Sequence, residues 1–172
     1  MRNILRNRTA LSTVVTTLII LVVSVLLAGV VTYFAINVTS TRVQEENMNL
    51  SFQHVWYSTT DTQAEAAIVI VNTGGRDVVL NKIAVRGQTS QWADVYYNNT
   101  AITVTGVDYV TTPAANFTAA TEPLILKSGA TMAIYALNPD SITVNDVGLT
   151  VAISVFTSQA IYYKETNVEA AV

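Results

Sequence analysis

Cysteine is absent from the 172-residue chain, which rules out a disulfide framework and a thiolate zinc site. An exported domain built this way must rely on packing, on assembly or on glycans. Histidine occurs once, as His54, so a multi-histidine metal site is excluded. Ser-His-Asp catalysis would depend on that one residue, and no nucleophile-elbow motif accompanies it. Charge is scarce as well: charged residues make up 12% of the chain, about half the usual soluble value. The formal net charge is -3, and subtracting Arg2, Arg6 and Arg8 at the N-terminus leaves about -6 on the remainder. The other basic residues are scattered, which argues against nucleic acid as a partner, because phosphate binding needs clustered cations.

What the chain does have is an apolar run. Leu11 to Val38 carries no charged residue and follows directly on the basic head MRNILRNRTA. It exceeds the roughly 20 residues that span a bilayer core and the roughly 7–15 apolar residues of an ordinary secretory signal. The arginines of the head predict a cytoplasmic N-terminus, with the bulk of the chain outside. The following TSTRVQEENMN lacks proline and glycine, so a helix is expected from Leu11 to about Asn47, some ~54 Å at 1.5 Å per residue. A plain anchor does not need that overhang. Small residues also interrupt the run: Ser24, Ala28 and Thr32 are spaced by four, with Gly29 beside them, and Thr13 and Thr17 make a second pair. Small residues at this spacing let helix backbones approach closely.

The order Arg8-Thr9-Ala10-Leu11-Ser12 ahead of the apolar run resembles a prepilin-type (class III) signal. It is most similar to those of archaeal type IV pilins and archaellins. The resemblance implies a membrane peptidase cutting between Ala10 and Leu11 on the cytoplasmic side, with the apolar helix kept in the mature subunit. Thr9 stands between the charged Arg8 and Ala10, where the family usually has adjacent residues, and Val15 occupies the fifth mature position where bacterial pilins carry glutamate. No glycine-rich archaellin-like start is present, which favours an adhesive pilin over a swimming filament subunit. The partners implied are copies of the chain itself, the peptidase, and an assembly ATPase with its membrane platform. No cofactor is implied.

Past about Leu50 the pattern changes to short β-rich runs. LSFQHVWY alternates, and AEAAIVIVN leads through TGGRD into VVLNKIAVRG, which reads as a hairpin around a Gly-Gly turn. Further strands are expected at Trp92–Tyr97, Ala101–Thr105, Leu124–Leu126, Thr131–Leu137, Gly148–Phe156 and Ala160–Tyr163. Many short strands with Asn, Gly, Asp and Pro turns point to a β-sandwich, and the Val-Asn-Thr-Gly-Gly turn is similar to the start of archaeal pilin sandwich domains. The Thr-, Ala- and Asn-rich stretch from Asn98 to Pro123 reads as an outer flap. The expected fold is therefore α+β: residues 1–10 a cleaved basic leader, 11–48 a long hydrophobic helix, and 49–172 an extracellular, all-β, Ig-like sandwich.

Candidate chemistry is sparse. His54 shares strand parity with Leu50, Phe52 and Trp56, which predicts a structural histidine. Asp140, Asn145 and Asp146 lack EF-hand spacing and read as a solvated turn. Trp56, Trp92, Tyr96 and Tyr97 form a possible adhesion patch, although strand aromatics in a sandwich are usually core. Asn-x-Ser/Thr sequons occur at Asn7, Asn37, Asn49, Asn98 and Asn116; Asn49, Asn98 and Asn116 fall in the exported part, where glycans would help to solubilise a low-charge surface. Three functions compete on these grounds. A pilin polymerised through Ser24, Ala28, Gly29 and Thr32 fits best. A monomeric, permanently anchored surface protein comes second. A membrane-tethered hydrolase lacks the constellation it would need.

Overall fold

The computed structural model describes the backbone of residues 2–43, 45–99, 107–111, 113 and 117–171, and their side chains except those of residues 2–10, 42 and 43. The chain divides into two compact units, residues 1–43 and 44–172. The first is one helix, α1 (Arg2–Val43), of 42 residues, or ~63 Å of rise. It begins within the basic head instead of at Leu11, since nothing in MRNILRNRTA breaks a helix. It also stops at Val43, short of the expected Asn47, because Glu45 to Asn47 are tied by their backbones to the β-domain. Gly75 N–H donates to Glu45 O, and Thr73 and Gly74 N–H donate to Asn47 O at 2.9 and 3.0 Å.

The second unit is strand-rich: β1 (Met48–Ser58), β2 (Gln63–Asn72), β3 (Val78–Val85), β4 (Gln88–Thr89), β5 (Val95–Asn98), β6 (Thr118–Ala119), β7 (Leu124–Leu126), β8 (Thr131–Leu137), β9 (Thr150–Thr157) and β10 (Ile161–Ala171). Among the described residues they form one hydrogen-bonded path, β4-β3-β9-β10-β1-β2-β8-β5-β6, with β7 added to β3. A sandwich of two separate sheets was expected; β10 instead links the two halves of one path. Its first part, Ile161 to Asn167, pairs antiparallel with β9, and Val168 to Ala171 pair parallel with β1. The shortest strands, β4 and β6, lie at the two ends of the path, which limits the exposed pairing edge. The strand expected at Ala101–Thr105 lies outside the described residues.

One apolar cluster fills the inside, drawing Val55, Ile68, Ile70 and Ile134 from one half of the path and Leu80, Ile83, Ile153 and Val155 from the other. Alternation along β9 (exposed Thr150, then Val151, Ile153 and Val155 buried) is the period-2 pattern that aims one face inward. A smaller cluster lies on the reverse face of β2 and β8, where Trp56, Ala67, Val69, Ala133 and Tyr135 pack with Val107, Tyr109, Val110 and Phe117. Of the Asn98–Pro123 stretch, Val107, Tyr109, Val110 and Phe117 join this outer cluster, whereas Asn98 and Thr118–Ala119 are strand residues and Ala120 packs in the main core.

Two sequence expectations fail here for physical reasons. The Gly-Gly turn does not close a hairpin: β2 pairs with β1 and β8, while β3 pairs with β9, β4 and β7. The turn leads from one half of the path to the other and is held by the fully buried Asn72, whose Nδ2 donates to Arg76 O at 2.8 Å and to Leu126 O at 3.1 Å. Second, Leu50 and Trp56 do not share a face. The β1–β2 register slips between Ser51 and His54, and Phe52 adopts φ +49°. That bulge adds a residue and reverses the parity that follows, sending Leu50 and Val55 to the main core and Trp56 to the outer cluster.

Candidate functional site

Among the described residues, a continuous apolar surface runs along α1. Every described side chain from Leu11 to Thr41 is exposed, and the stretch is long and apolar enough to cross a membrane by length and composition. Burying each large aliphatic side chain is worth roughly 1.5–3 kcal/mol, so a helix apolar all round belongs in lipid or among other helices. Several of its hydroxyls are bonded within the helix. Ser24 Oγ donates to Ile20 O at 2.7 Å, Thr32 Oγ1 to Ala28 O at 2.8 Å and Thr16 Oγ1 to Ser12 O at 2.9 Å. Such back-bonding lets polar residues sit in an apolar medium without an outside partner.

Ser24, Ala28 and Thr32 fall on one helical face by their i, i+4, i+8 spacing, and all three are exposed. A Cβ placed on Gly29 would meet nothing within 4 Å. Arg8, Thr9 and Ala10 lie within the continuous helix immediately before Leu11.

The remaining candidates are dispersed. His54 is part of the β1 surface: its ring stacks on Trp56 with centroids 5.1 Å apart, and Glu169 bonds to His54 Nδ1 at 3.2 Å and accepts from Trp56 Nε1 at 3.1 Å. The aromatic patch is not assembled. Trp56 and Tyr96 belong to the outer cluster, whereas Trp92 and Tyr97 pack on the main core. Asp146 is committed to structure, accepting from Thr143 N–H and Oγ1 and from Arg86 at 2.7 Å. Those bonds, the Thr143 hydroxyl foremost, hold its carboxyl below the usual range. Among the described residues no three acidic or histidine side chains gather as a metal site. Of the sequons, Asn49 is exposed on β1 and Asn116 lies outside the described residues. Asn98, in β5, is 4% exposed.

One ionisable residue escaped the sequence reading. Glu65 in β2 is 1% exposed and faces the outer cluster between Trp56 of β1 and Leu137 of β8. Its Oε2 accepts from Val110 N–H at 2.9 Å, while its Oε1 is buried with no hydrogen bond. Burial pushes its carboxyl up to about 7, against the opposing effect of the Val110 bond. The only signal in the sequence was a carboxylate inside the apolar run AEAAIVIV.

No protein-family profile matches the chain, and no curated protein matches it. Among solved structures, a copper-bound PCuAC domain from PmoF2 is similar over 74% of this chain and 100% of its own, with a TM-score of 0.42 and 13% sequence identity. At that score the likeness is remote and says nothing of ligand or role.

Proposed function

We propose that this chain is a structural subunit of a type IV pilus-like extracellular filament, polymerised through α1. The observation that carries the reading is the complete exposure of Leu11 to Thr41. Such a helix is stored in the membrane first and is then transferred to a core of identical helices. Its internally bonded hydroxyls suit both media, and its small face of Ser24, Ala28, Gly29 and Thr32 suits close helix contact. A heterologous contact repeated from subunit to subunit grows an open helical filament. Removal of the head between Ala10 and Leu11 by a prepilin-type peptidase takes away three arginines that would resist withdrawal from lipid. The strand-rich unit is then the displayed head, an Ig-like sandwich variant in which β10 crosses between the layers. Asn49 is its best-placed glycan acceptor, and attachment to surfaces fits it better than motility.

A permanently anchored, monomeric surface protein is the second reading, because a single apolar N-terminal helix also serves as an anchor or a signal. Electron microscopy of native cells with gold-labelled antibody to the β-domain separates the two. The filament reading expects gold in rows along thin fibres that vanish when the gene is deleted. Gold spread over the envelope, with fibres unchanged by deletion, supports the anchor.

A further inference from the structure

The segment Val107–Thr111 lies over the outer face of the sheet, held by apolar contacts and by three hydrogen bonds, one of them to a buried carboxyl. Val107, Tyr109 and Val110 cover Trp56, Ala67, Val69 and Tyr135. Tyr109 meets Trp56 edge-on at 6.4 Å between centroids. Three polar links fasten the cover: Val110 N–H to Glu65 Oε2 at 2.9 Å, Tyr135 OH to Asp108 O at 3.2 Å, and Tyr109 OH to Asp61 Oδ2 at 3.1 Å. Of these, the Glu65 link alone ends on a buried carboxyl, and one oxygen of that carboxyl is unsatisfied. A charge there is expensive, since an ionised carboxylate with a bare oxygen in an apolar surrounding loses most of its hydration.

We infer that Glu65 is the catch of a proton-controlled latch: its neutral carboxyl keeps Val107–Thr111 seated on the sheet, and ionisation releases the segment so that the charge reaches water. Among the described residues only Val110 N–H favours the charge, and burial outweighs it. Asp61 in the turn after β1 and Asp108 in the cover are themselves acidic. Tyr109 and Tyr135 are phenols whose own ionisation is made harder, chiefly by burial and also by Glu65. On the neighbouring strands, His54 of β1 is bonded to Glu169 of β10. No lysine or arginine pairs with Glu65 among the described residues. Release bares Trp56, Ala67, Val69 and Tyr135 together, so that above neutral pH the domain acquires an apolar face that it hides in acid. This inference does not depend on the filament reading.

The test is amide exchange at Val110, measured by NMR on the full chain in detergent micelles and expressed as a protection factor, which removes the intrinsic pH dependence of exchange. With the carboxyl at about 7 when seated and 4.5 when free, linkage predicts that protection falls about 30-fold between pH 5.5 and 8.5. Glu65→Gln keeps an acceptor for Val110 N–H but no charge, so its protection stays flat. Direct titration of the Glu65 side-chain carboxyl in the unaltered chain needs no variant, and its midpoint should coincide with the loss of protection. Protection that does not change with pH, the same fall in Glu65→Gln, or a Glu65 midpoint in the ordinary carboxylate range would each overturn the latch.

Discussion

In the β-domain, Ile68, Ile70, Leu80 and Ile134 are at most 1% exposed, covered by strands of the same chain. In α1, Leu18, Leu26 and Val30 are each at least 60% exposed. Both regions use the same aliphatic chemistry, but one completes its burial alone while the other needs something outside itself. Stability of the head is therefore an internal property, whereas the fate of the helix depends on lipid or on copies. Substitutions in the two regions should fail in different assays.

The sharpest break is a charge in the helix. Leu26→Arg places a cation near the middle of the apolar stretch, where insertion costs about 2.5–3.5 kcal/mol. Surface display and fibres should be lost, while circular dichroism of the isolated material still reports a folded β-domain. If fibres persist, helix burial is not what holds them. In the head, Ile68→Ala should lower unfolding free energy by about 2–5 kcal/mol, read by denaturant titration followed at the tryptophans, and should leave membrane insertion unchanged.

Gly74→Ala probes the boundary between the regions. A Cβ there would lie 2.6 Å from Glu45 O and 2.7 Å from Asn47 N, so the turn or the connector must move. A loss of about 2 kcal/mol is expected, together with faster proteolysis at Glu45 to Asn47. Unchanged cleavage would show that the connector is held elsewhere.

The last effect is electrostatic. Because the folded carboxyl of Glu65 sits above its unfolded value, the native state binds the extra proton, and stability falls as pH rises from about 4.5 through about 7. Glu65→Gln removes that slope, so relative to the unaltered chain it should gain about 2 kcal/mol between pH 5.5 and pH 8. Equal slopes for the two proteins would reassign the pH dependence to other groups.

The helix was legible because its signal is local: a long run without charge can be read without knowing its neighbours. Strand positions such as Leu124–Leu126 and Thr131–Leu137 were legible on the same ground. Pairing was not, because Thr73-Gly74-Gly75 marks a change of direction but not which strands meet after it. That choice depends on the buried bonds of Asn72 to Arg76 and Leu126, the latter far along the chain. The Phe52 bulge has no glycine to announce its positive φ, so the faces of Leu50 and Trp56 were misassigned. Glu65 was invisible for a related reason: the group that buries it, Val110, is distant in sequence.

The central claim is that the apolar helix survives maturation and is buried among its copies. Intact mass and N-terminal sequencing of the polypeptide in purified surface fibres test it most directly. The account predicts a chain starting at Leu11 that retains everything to Thr41. Fibres without this polypeptide, or with the segment before Met48 removed, would contradict it.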